Sequence, residues 1–281
     1  MKNNSVSEIL DELTGKFRKI RTSNPKLEAE SIIAHTLKLP RLEILLIKNR
    51  LFSKAELKNI YSLSDRRMKH EPLQYIFGEA FFRNLVLKVG KGVLIPRPET
   101  ELLAGFACDL APPNAELCDI GTGSGAISIA VGQERPDMKV TAVDISPIAL
   151  KYARKNCRLN KIANVRFIKG SLLSDLKGKK FDIITANLPY VSEKEFKVLP
   201  IEIRKFEPEN ALLSGKDGLR DIRRLIRSAH KNMKPHAFLI LEISPSQKTG
   251  IGKIFHSVNK YEDIRFMKDL NGLTRFCIIQ A

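Results

Sequence analysis

Apolar residues recur at helical spacing through the first seventy positions: Ile9, Leu10, Leu13 and Phe17, then Ile33, Ala34 and Leu37. Each set marks one face of an amphipathic helix. Polar residues punctuate the pattern at the right places. Ser5-x-x-Glu8 and Ser53-x-x-Glu56 have the capping-box form, in which side chains satisfy the free N–H groups at a helix start. Asn24-Pro25 offers a cap followed by proline at the first helical position, and Pro40 opens LPRLEILLIKN in a similar way. Residues 1–70 are therefore expected to form a small bundle of three or four short helices. Such a bundle can shape a partner-binding face or cover the apolar surface of the main domain, and the spacing alone leaves both open.

Glu71-Pro72 marks a boundary, because proline disfavours helix in the residue before it. In LQYIFGEAFFRNLVLKVGKGVLIPRPETELL the apolar alternation and the Gly90-Lys91-Gly92 turn signal predict a β-hairpin, with a helix from Pro98 to Leu110. Residues 71–112 thus read as a structured linker. From residue 113 the pattern changes to strands alternating with helices: AELCDI, KVTAVDI, SPIALKYARKNCRLN, VRFIKG, FDIITANL, LRDIRRLIRSAHKNM and HAFLILEIS. That alternation predicts an α/β fold, a doubly wound, Rossmann-like parallel sheet over residues 113–281. At the end of the chain DIRFMKDL and TRFCIIQA flank Asn271-Gly272, which predicts an antiparallel C-terminal hairpin.

Composition narrows the class. The 281 residues are 43% hydrophobic, a globular value, and no run of about 18 apolar residues is long enough to span a membrane. The N-terminus MKNNSVSEIL lacks the apolar stretch of a secretory signal, so a soluble, cytoplasmic protein is expected, with no membrane partner. Cys108, Cys118, Cys157 and Cys277 lie far apart and read as reduced thiols. The five histidines are dispersed, and no metal site is expected. The formal net charge of +17 is compatible with nonspecific contact to RNA or the ribosome, or with a lysine-rich solvated surface.

Candidate chemistry gathers at the predicted strand ends, where open α/β sheets bind ligands. After the strand ending in Asp119 come Gly121, Thr122, Gly123, Ser124, Gly125 and Ala126. The glycines permit close approach of a ligand to the main chain, and Gly121, Gly123 and Ala126 also fit a permissive dinucleotide fingerprint. Asp119 argues otherwise, since a carboxylate there suits an ammonium or sulfonium better than a pyrophosphate. Asp144 ends the next strand, where it can hold both hydroxyls of a ribose or cap the following helix. Asn187-Leu188-Pro189-Tyr190 follows the strand FDIITA. This order along the chain resembles the class I S-adenosylmethionine-dependent methyltransferases.

The tetrapeptide has a physical rationale in that setting. An amide or adenine amino nitrogen is a poor nucleophile, so an enzyme that methylates it must hold its N–H bonds and aim it at the donor. The Asn187 side-chain oxygen and the Leu188 carbonyl supply two acceptors, Pro189 restricts Leu188, and Tyr190 can pack flat on a planar group. A proline turn after a buried strand is the bland alternative. Glu71-Pro72-Leu73-Gln74-Tyr75-Ile76, Leu94-Ile95-Pro96-Arg97-Pro98-Glu99-Thr100-Glu101, Phe206-Glu207-Pro208 and Asp217-Gly218-Leu219 closely resemble the HemK/PrmC family of release factor glutamine methyltransferases, over nearly the whole chain.

The resemblance implies S-adenosyl-L-methionine as cofactor and peptide chain release factors as partners. It implies transfer of a methyl to N5 of the glutamine in their Gly-Gly-Gln motif. On this pattern Asp119 to Gly125 hold the methionine part of the cofactor, Asp144 the ribose, Ser171 and Leu172 the adenine side, and Asn187 to Tyr190 the glutamine. The sequence departs from the family at Leu188, where the family writes proline, and at Ser171, where it usually has aspartate. NLPY is the spelling of ribosomal RNA adenine dimethylases, so an adenine N6-methyltransferase acting on RNA or DNA is the alternative; those enzymes, however, carry their small helical domain last. Ser244 in LEIS, where the family often has glycine, has no reading from sequence; the PRPETE segment is expected to contribute with the N-terminal bundle to the release-factor face, or Arg97 and Glu99 within it to form a structural ion pair.

Overall fold

The computed structural model describes residues 4–281, so the first three positions of the expected bundle lie outside the described residues. The chain divides into two compact units. One runs up to Gly78 and includes Ile201–Phe206; the other comprises Glu79–Pro200 and Glu207–Ala281.

In the first unit the helices are Val6–Lys19, Pro25–Leu37, Lys54–Met68 and Leu73–Phe77. Both capping boxes form: the Glu8 N–H donates to Ser5 Oγ and the Ser5 N–H to Glu8, and Ser53 and Glu56 repeat the exchange. Asn24 Oδ1 accepts from the Leu27 N–H ahead of Pro25. Leu13, Phe17, Ile32, Ile33, Ile44 and Ile60 are fully buried between the helices. Pro40 acts differently from Pro25, standing before a 3-10 turn, Arg41–Leu46, that leaves Leu42 and Leu46 in solvent. Buried charge is paired here. Arg67, only 3% exposed, forks onto both Glu28 oxygens at 2.7 and 3.0 Å, and its Nη2 lies 2.8 Å from Glu202 of the helix Ile201–Phe206.

The residues after Pro72 correct the sequence reading. LQYIF is a helix closed by Gly78 at φ +73°, and the hairpin follows it as β1 (Glu79–Phe82) and β2 (Leu85–Lys88). Its turn is Arg83-Asn84, since Phe82 pairs with Leu85, and this register buries Ala80, Phe82, Leu85 and Leu87 together. The Gly90-Lys91-Gly92 segment lies beyond β2. Gly90 is needed there for a close approach, because a Cβ would collide with the Tyr152 hydroxyl. The expected helix runs Thr100–Leu110.

The second unit carries the predicted sheet. Its strands are β3 (Glu116–Ile120), β4 (Lys139–Asp144), β5 (Val165–Lys169), β6 (Phe181–Ala186), β7 (Met233–Glu242), β8 (Asp263–Lys268) and β9 (Thr274–Gln280), in the order β5-β4-β3-β6-β7-β9-β8. The first five run parallel, and β9 is antiparallel to both neighbours, as the Asn271-Gly272 signal predicts. Both faces are apolar: in β7, Leu239 and Leu241 enter one core with Leu225 and Ile251, whereas Ile240 enters the other with Leu103 and Ile129. Helices on both faces account for such continuous apolar strands. Helix Lys248–Val258 is weakly signalled in sequence because Gly250 and Gly252 interrupt it.

Topology places the site. The chain builds β3, β4 and β5 outward in one direction and then returns to lay β6 on the other side of β3. Ile120 at the end of β3 pairs with Ala186 at the end of β6, so the glycine loop and NLPY emerge side by side at this switch point.

Candidate active site

A cavity of about 360 Å³ opens at these strand ends, within the size range of small-molecule sites. Gly121 to Ser124, Asp144, Ser171, Leu172, Asn187, Leu188 and Pro189 line it. Asp119, Gly125 and Tyr190 lie behind the wall rather than in it.

The glycine loop is shaped by close approaches. Gly121 sits at φ +72°, and a Cβ there would come 3.1 Å from Leu188 Cδ2, so this glycine lets the NLPY turn pack against the loop. Leu188 is correspondingly buried, which gives the departure from the family's proline a packing role. Gly125, at φ +85°, lets the loop meet Ile129 and Ala153.

Asp144 ties the loop to the next strand. Its Oδ2 accepts from the Gly123 N–H and its Oδ1 from the Ser146 N–H, each at 2.8 Å. Ser146 itself caps the helix Pro147–Leu159, so capping does not require Asp144. Burial raises the Asp144 carboxyl above its ordinary range. Each oxygen retains acceptor capacity toward the cavity, as two ribose hydroxyls would need.

Asp119 is completely buried beneath Ile120 and Gly121. Its Oδ1 accepts from the Thr185 hydroxyl at 3.0 Å, and its Oδ2 finds no partner of hydrogen-bond geometry among the described residues. Burial pushes this carboxyl up to about 6, against the pull of the Thr122 and Thr185 hydroxyls. Ser171 presents a neutral hydroxyl, and the nearby charge belongs to Asp175, which accepts from the Ser171 N–H and the Ser174 hydroxyl.

Asn187 is held from behind. Its Nδ2 donates to Thr100 Oγ at 3.1 Å, and the Thr100 hydroxyl donates to Glu242 Oε2 at 2.6 Å. The Tyr190 hydroxyl donates to Glu242 Oε1 at 3.2 Å. Tyr190 is partly buried against the core with its hydroxyl on Glu242, and it is not among the residues that line the cavity. Burial raises the Tyr190 phenol and the Glu242 carboxyl alike. Behind the turn, Gln247 Nε2 bridges the carbonyls of Tyr190 and Gly218 at 3.0 and 2.9 Å. Gly218 has φ +71°, and a Cβ would collide with the Tyr190 carbonyl, which accounts for glycine in the Asp217-Gly218-Leu219 motif.

Two further motifs meet here. Arg97 pairs with Glu207 at 2.6 Å instead of with Glu99, and Glu207 also accepts from the Ile95 N–H. Ser244 forms a capping box with Gln247 at the turn Pro245–Gln247, which supplies the reading its sequence position lacked. Sequence reasoning missed Glu242 and gave Thr100 no role. An acid closing the apolar run FLIL was the available signal.

A family model for a methyltransferase domain matches residues 112–265, and one for the PrmC N-terminal domain matches residues 8–78. The release factor glutamine methyltransferase of Thermodesulfovibrio yellowstonii is 39% identical, across 90% of this chain and 91% of its own. The enzyme of the same name from Rhodopirellula baltica is 35% identical, across 98% and 96%. Among solved structures, a 16S rRNA methyltransferase from T. Thermophilus in complex with AdoMet and guanosine superposes with a TM-score of 0.52 at 15% identity. That match covers 72% of this chain and 49% of the other, and shows the fold. With both family models in chain order and relatives aligned over nearly their whole length, the chain belongs to the release factor glutamine methyltransferase family.

Proposed function

We propose that this protein transfers a methyl group from S-adenosylmethionine to the side-chain amide nitrogen, N5, of the glutamine in the Gly-Gly-Gln motif of a peptide chain release factor. The observation that carries the reading is Asn187, whose carboxamide lines the cavity while its nitrogen is tied to Thr100. Its oxygen is then free to accept an N–H from a second carboxamide. The family relationship supplies the release factor as the source of that carboxamide.

The residues present fit the cofactor: Asp144 offers a carboxylate at the cavity wall, and Asp119 holds an unclaimed acceptor just beneath it. When bound, S-adenosylmethionine supplies an electrophilic methyl on a sulfonium. Asp144 would accept the ribose hydroxyls, and the field of Asp119 would favour the ammonium and sulfonium end. The Asn187 oxygen and the Leu188 carbonyl accept the two N–H bonds of the substrate amide. As the amide nitrogen would bond to the methyl carbon, the carbon–sulfur bond would break to leave a neutral thioether; positive charge would grow on nitrogen, these acceptors would stabilise it more in the transition state than in the ground state, and the nitrogen would then lose one proton to solvent. Pro189 holds Leu188 extended, and Tyr190, anchored on Glu242, fixes the turn from behind. No strong base is required at the outset.

Residues 1–70 are assigned to recognition of the folded factor, residues 71–112 to the linker and residues 113–281 to cofactor and catalysis. Among the described residues no helix is long and apolar enough to cross a membrane. Incubation with labelled S-adenosylmethionine and a bacterial-type release factor tests the function. Label should enter the intact factor and be lost when its Gly-Gly-Gln glutamine is replaced. Equal labelling of both, or labelling of RNA adenine in place of the factor, would overturn it.

A further inference from the structure

Glu242 stands behind the residues that line the cavity and Thr100 is one of them, and together they decide which end of Asn187 the cavity sees. Glu242 is a buried carboxylate, 2% exposed, on which two hydroxyls converge, Thr100 on Oε2 and Tyr190 on Oε1. A carboxylate only accepts, so the single hydroxyl proton of Thr100 is committed to it. Thr100 is left with lone pairs alone toward Asn187. The partner it faces must be a donor, which makes it Nδ2 and turns Oδ1 the other way. The three residues come from the start of the helix Thr100–Leu110, the end of β6 and the end of β7, so no local sequence rule sets the arrangement.

We propose that Glu242, acting through Thr100, is a positioning residue that locks the carboxamide of Asn187 with its oxygen toward the cavity and thereby selects a primary carboxamide over a carboxylate. The inference rests on the proposed glutamine methylation and deepens it. Glutamine and glutamate side chains have nearly the same shape, and they differ in whether the terminal group can donate. A fixed acceptor rewards the donor and leaves a carboxylate facing an oxygen across a partly buried contact. Sites built around a hydrogen bond reject analogues lacking it far more strongly than shape alone allows. Were Asn187 free to turn over, Nδ2 would donate to a glutamate as readily as Oδ1 accepts from a glutamine. The hydroxyl of Thr100 is thus the switch between two specificities.

The test uses the full chain, a release factor with its Gly-Gly-Gln glutamine, and the same factor carrying glutamate there as a competitor. Thr100→Val keeps the side-chain shape and removes both hydrogen bonds; Thr100→Ser keeps both. Thr100→Val should lower kcat by about 10²-fold with the cofactor Kd unchanged, and should let the glutamate factor compete at concentrations where it does not compete with wild type. Thr100→Ser should stay within about threefold of wild type on both readouts. A Thr100→Val enzyme with wild-type kcat and discrimination, or a Thr100→Ser enzyme as impaired as Thr100→Val, would overturn the proposal. A second readout needs no variant of Thr100 and no turnover. In ¹⁵N-labelled wild-type protein the Asn187 side-chain NH₂, identified by its loss in Asn187→Ala, should have one proton protected from solvent exchange. Fast exchange of both protons would overturn the lock even if Thr100→Val failed to fold. A wild-type chain that shows the protected proton but labels no factor would leave the lock standing and remove the glutamine reading.

Discussion

Glu28 in the helical unit and Asp119 in the sheet unit are both carboxylates withdrawn from water, and their surroundings differ in kind. Glu28 receives Nε and Nη2 of Arg67, Nη2 also reaches Glu202, and Glu30 nearby is met by Arg41 at 2.6 Å. Asp119, Asp144 and Glu242 have no ion-pair partner within 4 Å among the described residues; hydroxyls and backbone N–H groups hold them instead. Charge is costly to bury, and a cation at contact distance offsets that cost. Where no cation is present the cost persists until a cationic or hydrogen-bond-donating ligand meets it. Paired acids here maintain the fold. The three unpaired acids of the sheet unit lie at the cavity wall or behind it, Glu242 beneath the turn that carries Asn187.

The comparison breaks first at Arg67. Arg67→Ala leaves Glu28 unpaired at a buried site and should destabilise the chain by about 3–5 kcal/mol in urea unfolding. Loss of less than about 1 kcal/mol would show the pairing to be incidental. Asp119→Asn should act with the opposite sign. The Asp119 carboxyl ionises at about 6 in the folded chain against an ordinary 3.8. The unfolded chain ionises first, so stability falls as pH rises from about 4 to about 6 and stays reduced above. Asparagine removes that penalty, giving a gain of up to about 3 kcal/mol at pH 8 and none below about pH 4.

The same substitution should weaken S-adenosylmethionine binding by about tenfold, roughly 1.4 kcal/mol. A cationic ligand favours the ionised acid, so wild-type affinity should rise between pH 5 and 7 in calorimetric titrations. The rise should be smaller in Asp119→Asn, with Asp144 contributing the remainder. Unchanged slopes would detach Asp119 from the ligand. The smallest effect belongs to a purely local device: Ser53→Ala removes one capping bond and should cost about 1 kcal/mol with activity intact.

What sequence revealed divides along the same line as these effects. Caps at Ser5, Asn24 and Ser53 act within three residues, and their motifs read directly as structure. Alternation reads as the doubly wound sheet, while the strand order around β3 and β6 comes from the structure and brings Asp144, the glycine loop and Asn187 to one cavity. Long-range partners were not legible. Arg97 finds Glu207 110 residues away, and Thr100 finds Glu242 142 residues away. Gly90 to Gly92 do form a turn, with the Val93 N–H on the Gly90 carbonyl and Gly92 at φ +93°, but not the hairpin turn, and the pressure of Tyr152 and Ile148 on these glycines is a constraint that no window around residue 90 contains. Tyr190 was assigned to the ligand because an aromatic beside a polar turn suggests stacking; the acid that holds its hydroxyl lies on another strand.

Single-turnover methylation by Asn187→Ala tests the central claim most directly. With enzyme and labelled cofactor in excess over a release factor, and the Gly-Gly-Gln peptide followed by mass spectrometry, the account predicts a rate lowered by about 10²- to 10³-fold. Cofactor affinity should stay close to wild type. Methylation of that glutamine at the wild-type rate would contradict it, because no other side chain in the account accepts from the substrate amide.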